Sequence, residues 1–241
     1  KSAICDQVIS YSRINIDSLV FPRNLDDVER PALLCEESQP GPDDITTIDV
    51  IENWDDNNND YPDPTETGTP TLFGYNIFPN KSYCELNATF TDTRLDICEN
   101  SFKILRRWVV LDWCTGRLRE DIQIIKVVDK NGPLVTAPDE VTISADPYTC
   151  TATYEVPPPI VIFDCSSEVT WTVDYQLSFP GGQPTGVWIN DNVRYVGNKV
   201  FIDDLPIDSS WIRYTVVDDC GNITYANNEV VVKDFEPPVA V

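Results

Sequence analysis

The sequence predicts an all-β protein built from tandem immunoglobulin-like β-sandwich repeats. Three features of the 241-residue chain lead to this fold class. Apolar residues alternate with polar ones, a unit of about 100 residues recurs, and eight cysteines occur in a chain without histidine.

The alternation is clearest over residues 171–179 and 212–216, where every second residue is apolar, as in a half-buried strand. The apolar positions are Trp171, Val173, Tyr175, Leu177 and Phe179, followed by Ile212, Tyr214 and Val216. Turn signals such as Pro180-Gly181-Gly182 and Gly197-Asn198 separate these runs. About seven short strands per ~100 residues are typical of an immunoglobulin-like sandwich.

The internal repeat joins Ile104–Cys114 to Ser210–Cys220 at a fixed offset of 106. The matching positions are Arg107 and Arg213, Trp108 and Tyr214, Val110 and Val216, Asp112 and Asp218, and Cys114 and Cys220. Each stretch leads into an apolar strand that ends in an acidic junction with proline, at residues 129–133 and 234–238. Agreement at several places favours a tandem array over chance similarity.

The repeat divides the chain into four segments. Residues 1–17 are the C-terminal strand of a preceding repeat, and residues 18–132 form a full repeat with a long acidic insertion at 36–80. Residues 133–236 form a second full repeat, and 237–241 begin the next one. Because the chain has neither an initiator Met nor a signal-like start, we expect it to be part of a longer protein.

Charge and composition exclude several kinds of partner. The net charge is −23, from 17 basic and 40 acidic residues, whereas nucleic-acid binding needs clustered Lys and Arg. No run approaches 18 apolar residues, so we predict no direct membrane insertion. The acidic surface supports solubility and offers carboxylates to divalent cations.

The cysteines indicate disulfides. They stand at positions 5, 35, 84, 98, 114, 150, 165 and 220 and form no CxxC pair, whereas a zinc site of four cysteines normally shows paired short spacings. Disulfides persist in oxidising compartments, so we predict an extracellular protein at the cell surface.

The pattern Arg-x-Trp-x-x-x-Asp-x-Cys, with a final strand and an acidic, proline-marked junction, resembles hyalin-type (HYR-like) repeats. It is carried by LRRWVVLDWCTG at 105–116 and IKVVDKNGP at 125–133, and in the second repeat by ADPYTC at 145–150 and FDC at 163–165. Such repeats occur in very large surface proteins of gliding and predatory Bacteroidetes, exported by the type IX secretion system. The resemblance implies an immunoglobulin-like fold and a role as an adhesin, stalk or filament body; the insertion at 36–80 departs from the pattern.

Two disulfides follow from the alignment of the repeats. Cys35 is equivalent to Cys150, and Cys84 to Cys165. We therefore expect the equivalent bonds Cys35–Cys84 and Cys150–Cys165, each of which would typically stabilise its loop by ~2–4 kcal/mol.

Parity then leaves Cys98 with Cys114. Geometry argues against this pair, because a strand over Phe102–Leu111 would span about 33 Å, and bonded cysteines need Cα atoms within ~7 Å. Cys220 has no evident partner, and Cys5 is expected to pair with a cysteine of the preceding repeat.

We predict no catalytic residues. Without histidine, neither a Ser-His-Asp triad nor a Cys-His pair can form, and the chain has no phosphate-binding loop or nucleophile elbow. Two carboxylates across a cleft are enough for a glycosidase, but β-sandwich repeats lack an obvious deep cleft.

An acidic loop at residues 54–66 is a candidate calcium site. The oxygen ligands would be Asp55, Asn57, Asn59, the backbone carbonyl of Tyr61, Asp63 and Glu66, and their spacing suits calcium. Asp60 stands where the tight turn usually has Gly. Pro62 and Pro64 are expected to exclude flanking helices, and the alternative is a solvated loop without metal.

The junctions between repeats are a second candidate for calcium, through Asp129 and Asn131 or through Asp234 and Glu236. Calcium there would stiffen one repeat against the next. The alternative is that the prolines alone supply the stiffness.

Two kinds of surface residue complete the set. Trp54, Tyr61 and Trp188 are candidates for stacking on sugar rings, although such aromatics more often pack over a sandwich end. Arg106, Arg107, Arg117 and Arg119 are expected to form cross-strand ion pairs with the abundant carboxylates.

Together these features predict a structural and adhesive segment of a long extracellular filament or stalk that mediates attachment to surfaces or prey cells. We expect the chain to self-associate into a filament or bundle, with lateral contacts through the insertion at 36–80, and glycan or cell-surface ligands are possible partners. The alternative function is a carbohydrate-binding module of a secreted multidomain enzyme.

Overall fold

The computed structural model describes residues 15–35, 59, 61–79, 81, 85–179 and 182–235, which are almost entirely β-strands and turns. These residues form two compact units. The first comprises the chain up to Ile97 with Ser101–Val128, and the second comprises Cys98–Asn100 with the chain from Asp129 onward. The predicted segments 1–17, 36–80 and 237–241 lie largely outside the described residues, so these boundaries stay predictions.

The described residues of the first unit form seven strands and two short helical turns. In chain order these are a 3₁₀ turn (Ile16–Ser18), β1 (Leu19–Val20), β2 (Leu33–Leu34), α1 (Pro64–Thr67), β3 (Thr71–Leu72), β4 (Tyr75–Asn76), β5 (Leu86–Cys98), β6 (Ser101–Asp112) and β7 (Arg117–Val128). They form a small sheet in the order β1-β3-β4 and a larger one in the order β2-β7-β6-β5.

Strands β6 and β7 form the central hairpin of the larger sheet in the first unit. They pair antiparallel from Phe102 opposite Val127 to Asp112 opposite Arg117. Strand β2 runs parallel to β7. The side chains of β6 alternate, so that Ile104 and other core residues are fully buried, as expected for a strand with one face on a core.

In the described part of the second unit there are nine strands, and isolated β-bridges hold the loop between β12 and β13. The strands are β8 (Leu134–Thr136), β9 (Val141–Ser144), β10 (Thr151–Val156), β11 (Ile160–Phe163), β12 (Val169–Leu177), β13 (Val193–Val196), β14 (Lys199–Pro206), β15 (Asp208–Asp218) and β16 (Ile223–Lys233).

The strand order of the second unit is that of an immunoglobulin-like sandwich. One sheet runs β10-β14-β13, the other runs β12-β15-β16-β9, and β8 pairs with β11, which follows β10. The sheet β10-β14-β13 corresponds to strands B, E and D of the immunoglobulin fold, and β12-β15-β16 corresponds to strands C, F and G, whereas β8 lies in a separate two-stranded sheet with β11. Strand β9 adds to the second layer by pairing parallel with β16.

The core of the second unit confirms most of the predicted alternation. Ile212, Tyr214 and Val216 are fully buried, and Trp171 packs against this core, with its ring centroid 6.1 Å from that of Tyr214. Phe179 is the exception, at 57 % exposed. Strand β12 ends before it, because the chain turns back there and the Phe179 N–H donates to the Gln183 carbonyl.

Each unit contains its own copy of the four-stranded sheet in which the sequence repeat lies. The order β2-β7-β6-β5 in the first corresponds to β9-β16-β15-β12 in the second, each with a parallel strand at one edge. Strands β6 and β15 match at the offset of 106, whereas β7 and β16 match at 105, because Arg106 faces Gln123 and Ile212 faces Asn228. The turn of the second hairpin is therefore one residue shorter. The chain path to the fourth strand also differs, since β5 is joined directly to β6.

The predicted pair Cys98–Cys114 is wrong. Cys98 is bonded to Cys220, with Cα atoms 5.3 Å apart, and Cys114 is a free, exposed thiol. Cys98 ends β5 and Cys114 follows β6, so the whole of Ser101–Asp112 lies between them. At about 3.3 Å per residue that strand holds them roughly 40 Å apart along its length.

The predicted pair Cys150–Cys165 is also wrong, because Cys150 is free while Cys165 is disulfide-bonded. Different neighbours hold the two residues: the Cys150 carbonyl accepts from the Ile207 N–H, and the Cys165 carbonyl accepts from Asn100 Nδ2. Cys35 is disulfide-bonded. Its predicted partner, Cys84, lies outside the described residues.

Candidate functional site

The acidic loop is described only in its second half. Asp55 and Asn57 lie outside the described residues. The Asn59 Oδ1 accepts from the Tyr61 N–H at 2.9 Å, which uses one lone pair of a predicted ligand. The calcium hypothesis for this loop stays a prediction.

The segment that follows is helical, contrary to the expectation from its prolines. Helix α1 begins at Pro64 with Asp63 as its N-cap residue, and the Glu66 N–H donates to the Asp63 carbonyl at 3.1 Å. Proline is tolerated at the first helical position, since the N–H that it lacks would have no helical partner there. Asp63 and Glu66 are thus fixed on one short turn.

A buried guanidinium fastens this segment to the sheet of the first unit. Arg106 is 1 % exposed. It donates from Nη2 to the Pro62 carbonyl at 2.6 Å and from Nη1 to the Thr67 Oγ1 at 2.9 Å. It also forms a two-pronged bond to the Asp92 carboxylate, at 2.9 and 2.8 Å, and lies 4.5 Å from the Phe90 ring centroid. These hydrogen bonds compensate the loss of hydration of the buried Arg106 charge. Arg106 therefore anchors the segment to the sheet.

A second polar contact fastens the same segment beside Arg106. Trp108 is fully buried, and its Nε1–H donates to the Gln123 Oε1 at 3.1 Å. The Gln123 Nε2 in turn donates to the carbonyls of Thr67 and Arg23, at 2.8 and 2.9 Å. The end of the acidic loop is thus held by satisfied, buried hydrogen bonds, an arrangement that favours a unique packing.

Cross-strand ion pairing is confirmed for Arg106 and Arg107, in two settings, whereas Arg117 pairs with a residue of the 3₁₀ turn. Arg107 pairs with Glu120 at 2.6 Å on the exposed face, while the Arg106–Asp92 pair is buried. Arg117 pairs with Asp17 at 2.6 Å, and its hydrogen bond holds the pKa of the Asp17 carboxyl below its usual value. Exposed pairs of this kind contribute at most ~1 kcal/mol.

Three carboxylates converge in the second unit. Oxygens of Asp129, Asp164 and Asp218 lie within 4.8 Å of one another. Asp218 is buried and accepts from the N–H and the Nδ2 of Asn222, at 2.8 and 2.9 Å. Asp164 accepts from the N–H of Ser166 at 2.8 Å. Like charges this close repel one another, and a bound cation would relieve the repulsion. Carboxylate oxygens are ligands that calcium prefers. Asp129 of the predicted junction site therefore lies in a group that is suited to calcium.

Of the three aromatic residues predicted to bind sugars, Trp54 lies outside the described residues and Tyr61 is 37 % exposed. Trp188 packs on the outer face of the second unit, where the Arg213 Cζ lies 4.4 Å from its ring centroid and 5.2 Å from that of Tyr225. Arg213 also pairs with Asp174 through two hydrogen bonds, and these bonds raise its pKa above the usual value. An aromatic and charged surface therefore covers this part of the sheet.

Sequence reasoning missed the Arg213 cluster and the group of three carboxylates. One signal was available for Arg213, because Asp174 and Arg213 both fall on the polar phase of alternating strands. The register that places Asp174 opposite Arg213 depends on strand pairing between distant segments, which the alternation does not specify.

No protein-family model and no curated protein matches this chain. Solved structures that match part of this chain include the following three. The eight N-terminal Ig domains of Down Syndrome Cell Adhesion Molecule match with 16 % identity and a TM-score of 0.26, over 54 % of this chain and 16 % of that one. The fibronectin(III)-like modules of Clostridium thermocellum CbhA match with 16 % identity and a TM-score of 0.27, over 58 % and 67 %.

Human mucin-like protocadherin EC1-2 matches with 15 % identity and a TM-score of 0.29, over 66 % of this chain and 94 % of that one. The chain spans about one sixth of the length of the cell adhesion molecule fragment. TM-scores this low do not indicate a shared function. The immunoglobulin-like fold is established instead by the strand order of the second unit.

The bonded cysteines agree with a secreted or surface protein. Cys35, Cys98, Cys165 and Cys220 are all in disulfides, which persist in oxidising compartments. No helix among the described residues is long and apolar enough to cross a membrane.

Proposed function

We propose that this chain is a structural and adhesive segment of a long extracellular filament or stalk that attaches a cell to surfaces or to prey cells. One observation supports this proposal above the others: the same four-stranded sheet, with its parallel edge strand, recurs in two successive units. Arrays of such units extend a chain in one direction and leave their loops and sheet faces for contact. We propose no catalytic role.

The hairpins suit a role under tension. Strands β6 and β7 pair along their whole length, and strands β15 and β16 pair from Asp208 opposite Val232 to Val217 opposite Ile223. A long antiparallel ladder pulled along its strands loads many hydrogen bonds together. The disulfide between Cys98 and Cys220 adds a covalent tie.

The host and the assembly follow from the HYR-like pattern of the sequence. We propose export by the type IX system of a gliding or predatory bacterium, and self-association of copies into a filament or bundle. Because each copy carries a net charge of −23, close packing of copies requires screening or cations. Calcium is the cofactor that we propose, at the acidic loop or at the group of Asp129, Asp164 and Asp218.

The second candidate function is a carbohydrate-binding module of a secreted multidomain enzyme. The aromatic and charged surface around Trp188, Arg213 and Tyr225 favours it, because aromatic rings with planar polar partners are suited to sugars. The two functions differ in the remainder of the gene: an enzyme needs a catalytic domain, whereas a filament needs many further units of this kind.

The proposal is tested by bead retention under flow. Beads coated with the disulfide-intact chain pass over abiotic surfaces and over bacterial cells, and beads coated with the reduced, alkylated chain serve as the control. We expect the folded chain to hold beads at shear stresses that remove the control. Equal release of both kinds of bead from every surface would contradict an adhesive role.

A further inference from the structure

We propose that an uncharged saccharide binds in the cleft between β12 and β13 of the second unit, beside the outer face of the β12-β15-β16 sheet. This inference deepens the proposed adhesive function and rests on it, since it names the class of ligand to which the segment would attach.

The cleft is a half-open depression at the edge of the sheet. Its volume is about 290 Å³, near the lower end of the ~300–1,000 Å³ typical of small-molecule sites. Strand β12 is the outermost strand of its layer, so its backbone faces the cleft. The Val173 N–H on this edge donates to the Tyr195 Oη at 3.4 Å, which fixes the Tyr195 ring, 52 % exposed, as one wall.

The polar groups in the cleft match a polyhydroxylated ligand. Three hydroxyl groups line it, from Thr172, Thr215 and Tyr195, together with the carboxylate of Asp174 and the amide of Asn190. Hydroxyls and amides both donate and accept hydrogen bonds. A sugar hydroxyl also does both, so such a lining satisfies it without requiring a particular charge.

Aromatic surface adjoins these polar groups. Tyr225 lies directly opposite Thr215 on the neighbouring strand, and it is 57 % exposed. Trp188 and Tyr225 are placed around the guanidinium of Arg213, at 4.4 and 5.2 Å from their ring centroids, so the stack orders both rings. Exposed ring faces next to hydrogen-bonding groups suit a sugar, which has an apolar C–H face and a hydroxylated rim.

The charges favour a neutral ligand. The Asp174 carboxylate is already compensated by two hydrogen bonds from Arg213, so the cleft does not offer an unpaired anion to a cation. An anionic ligand would meet a chain with a net charge of −23, which repels it at long range.

The first unit shows that these residues are not required by the shared sheet. By strand register, Arg107 corresponds to Arg213, Val109 to Thr215 and Glu120 to Tyr225. There the arginine simply pairs with Glu120 on the exposed face. The hydroxyl and aromatic groups are therefore specific to the second unit and are not needed to form the four-stranded sheet.

The test is a titration of the disulfide-intact, 241-residue chain with neutral oligosaccharides, followed by amide chemical shifts. The panel is cellotetraose, chitotetraose, mannotetraose and maltotetraose, with trigalacturonate as the charged comparison. We expect at least one neutral sugar to shift the amides of Thr172, Thr215 and Tyr225 in a saturable way and to bind more tightly than trigalacturonate. Tyr225→Ala should weaken that binding about tenfold.

Thr215→Val, which keeps the shape and removes one hydroxyl, is the second variant and should also weaken binding. Tyr148→Ala is the matched control, because Tyr148 is fully exposed in the turn before β10 and should leave binding unchanged. The inference is overturned if no neutral sugar binds below about 10 mM, or if neither Tyr225→Ala nor Thr215→Val changes the affinity.

The result is distinguishable from a failure of the proposed function. Saccharide binding without bead retention would contradict the adhesive role and leave the site in place. Bead retention that neither Tyr225→Ala nor an excess of free oligosaccharide reduces would support adhesion and overturn this site as its basis.

Discussion

Cys98 and Cys220 form a disulfide although 122 residues separate them along the chain. Cys98 is the last residue of β5, directly before the short turn that joins β5 to β6, and Cys220 lies in the turn that joins β15 to β16. The neighbouring residues add polar contacts, since the Glu99 N–H donates to Asp219 and the Glu99 carboxylate accepts from the N–H and the hydroxyl of Ser167. The two hydrogen bonds from Ser167 lower the pKa of the Glu99 carboxyl. The disulfide is thus reinforced by hydrogen bonds of the residue that follows Cys98.

Removal of this disulfide should destabilise the chain strongly. For a closed loop of more than 100 residues, the loss of the crosslink is expected to lower the free energy of unfolding by about 5 kcal/mol. The variant is Cys98→Ser with Cys220→Ser, and urea unfolding followed by tryptophan fluorescence is the measurement. Cys114→Ser and Cys150→Ser are matched controls, and each should change stability by less than about 0.5 kcal/mol. Peptide mapping that links Cys98 to Cys114 would refute the assignment.

The Arg106–Asp92 pair should matter far more than the neighbouring Arg107–Glu120 pair. Arg106→Leu leaves Asp92 buried without its partner, which should cost about 3–5 kcal/mol. Arg107→Ala removes only an exposed pair and should cost at most about 1 kcal/mol. Equal losses in the two variants, measured by urea unfolding, would show that Arg106 is not the anchor of the 61–67 segment.

Tyr214 should make the second unit sensitive to alkali. Burial raises the pKa of its phenol above the usual value of 10.0. Below pH 10.0 the phenol is neutral in both the folded and the unfolded chain. Above that pH the phenol ionises in the unfolded chain but resists ionisation in the folded chain. The free energy of unfolding therefore falls as the pH rises. The Tyr214 hydroxyl has no hydrogen-bond partner among the described residues.

Tyr214→Phe should therefore be neutral or stabilising, by about 1 kcal/mol, near pH 7, and should reduce the loss of stability near pH 11. Tyr148→Phe is the exposed control. Unfolding curves at both pH values check this, and an unchanged alkaline loss in Tyr214→Phe would argue against ionisation of this residue.

Calcium should raise the melting temperature if either acidic site binds it. Melting with calcium and with a chelator gives the shift, and two variants assign it. Asp218→Asn should abolish the shift if the group of three carboxylates is the site, whereas Asp63→Asn with Glu66→Gln should abolish it if the acidic loop is the site. A melting temperature that is the same with calcium and chelator removes the metal hypothesis at both places.

The sequence predicted the class of fold and the buried face of its strands, because both follow from local alternation. Ile212, Tyr214 and Val216 are examples. The same alternation also places Arg106 in phase with Ile104 and Trp108, so its burial was readable from the pattern. Its partners were not, because Asp92 and Pro62 are brought to Arg106 by tertiary packing.

The cysteine pairing failed for a related reason. The alignment assumed that each repeat closes its own disulfides. Yet β5 is joined directly to β6, and Cys98, the last residue of β5, is bonded to Cys220. The path of the chain in the folded protein decides which cysteines come together, and the spacing of cysteines along the sequence does not predict that path.

The central claim, that this chain is a segment of a surface filament, is tested most directly by immunogold electron microscopy of intact cells with an antibody raised against it. We predict gold label along fibres that extend from the cell surface, at intervals set by the length of the repeat array. Label confined to the cell interior, or to soluble secreted material with no fibre, would contradict the account.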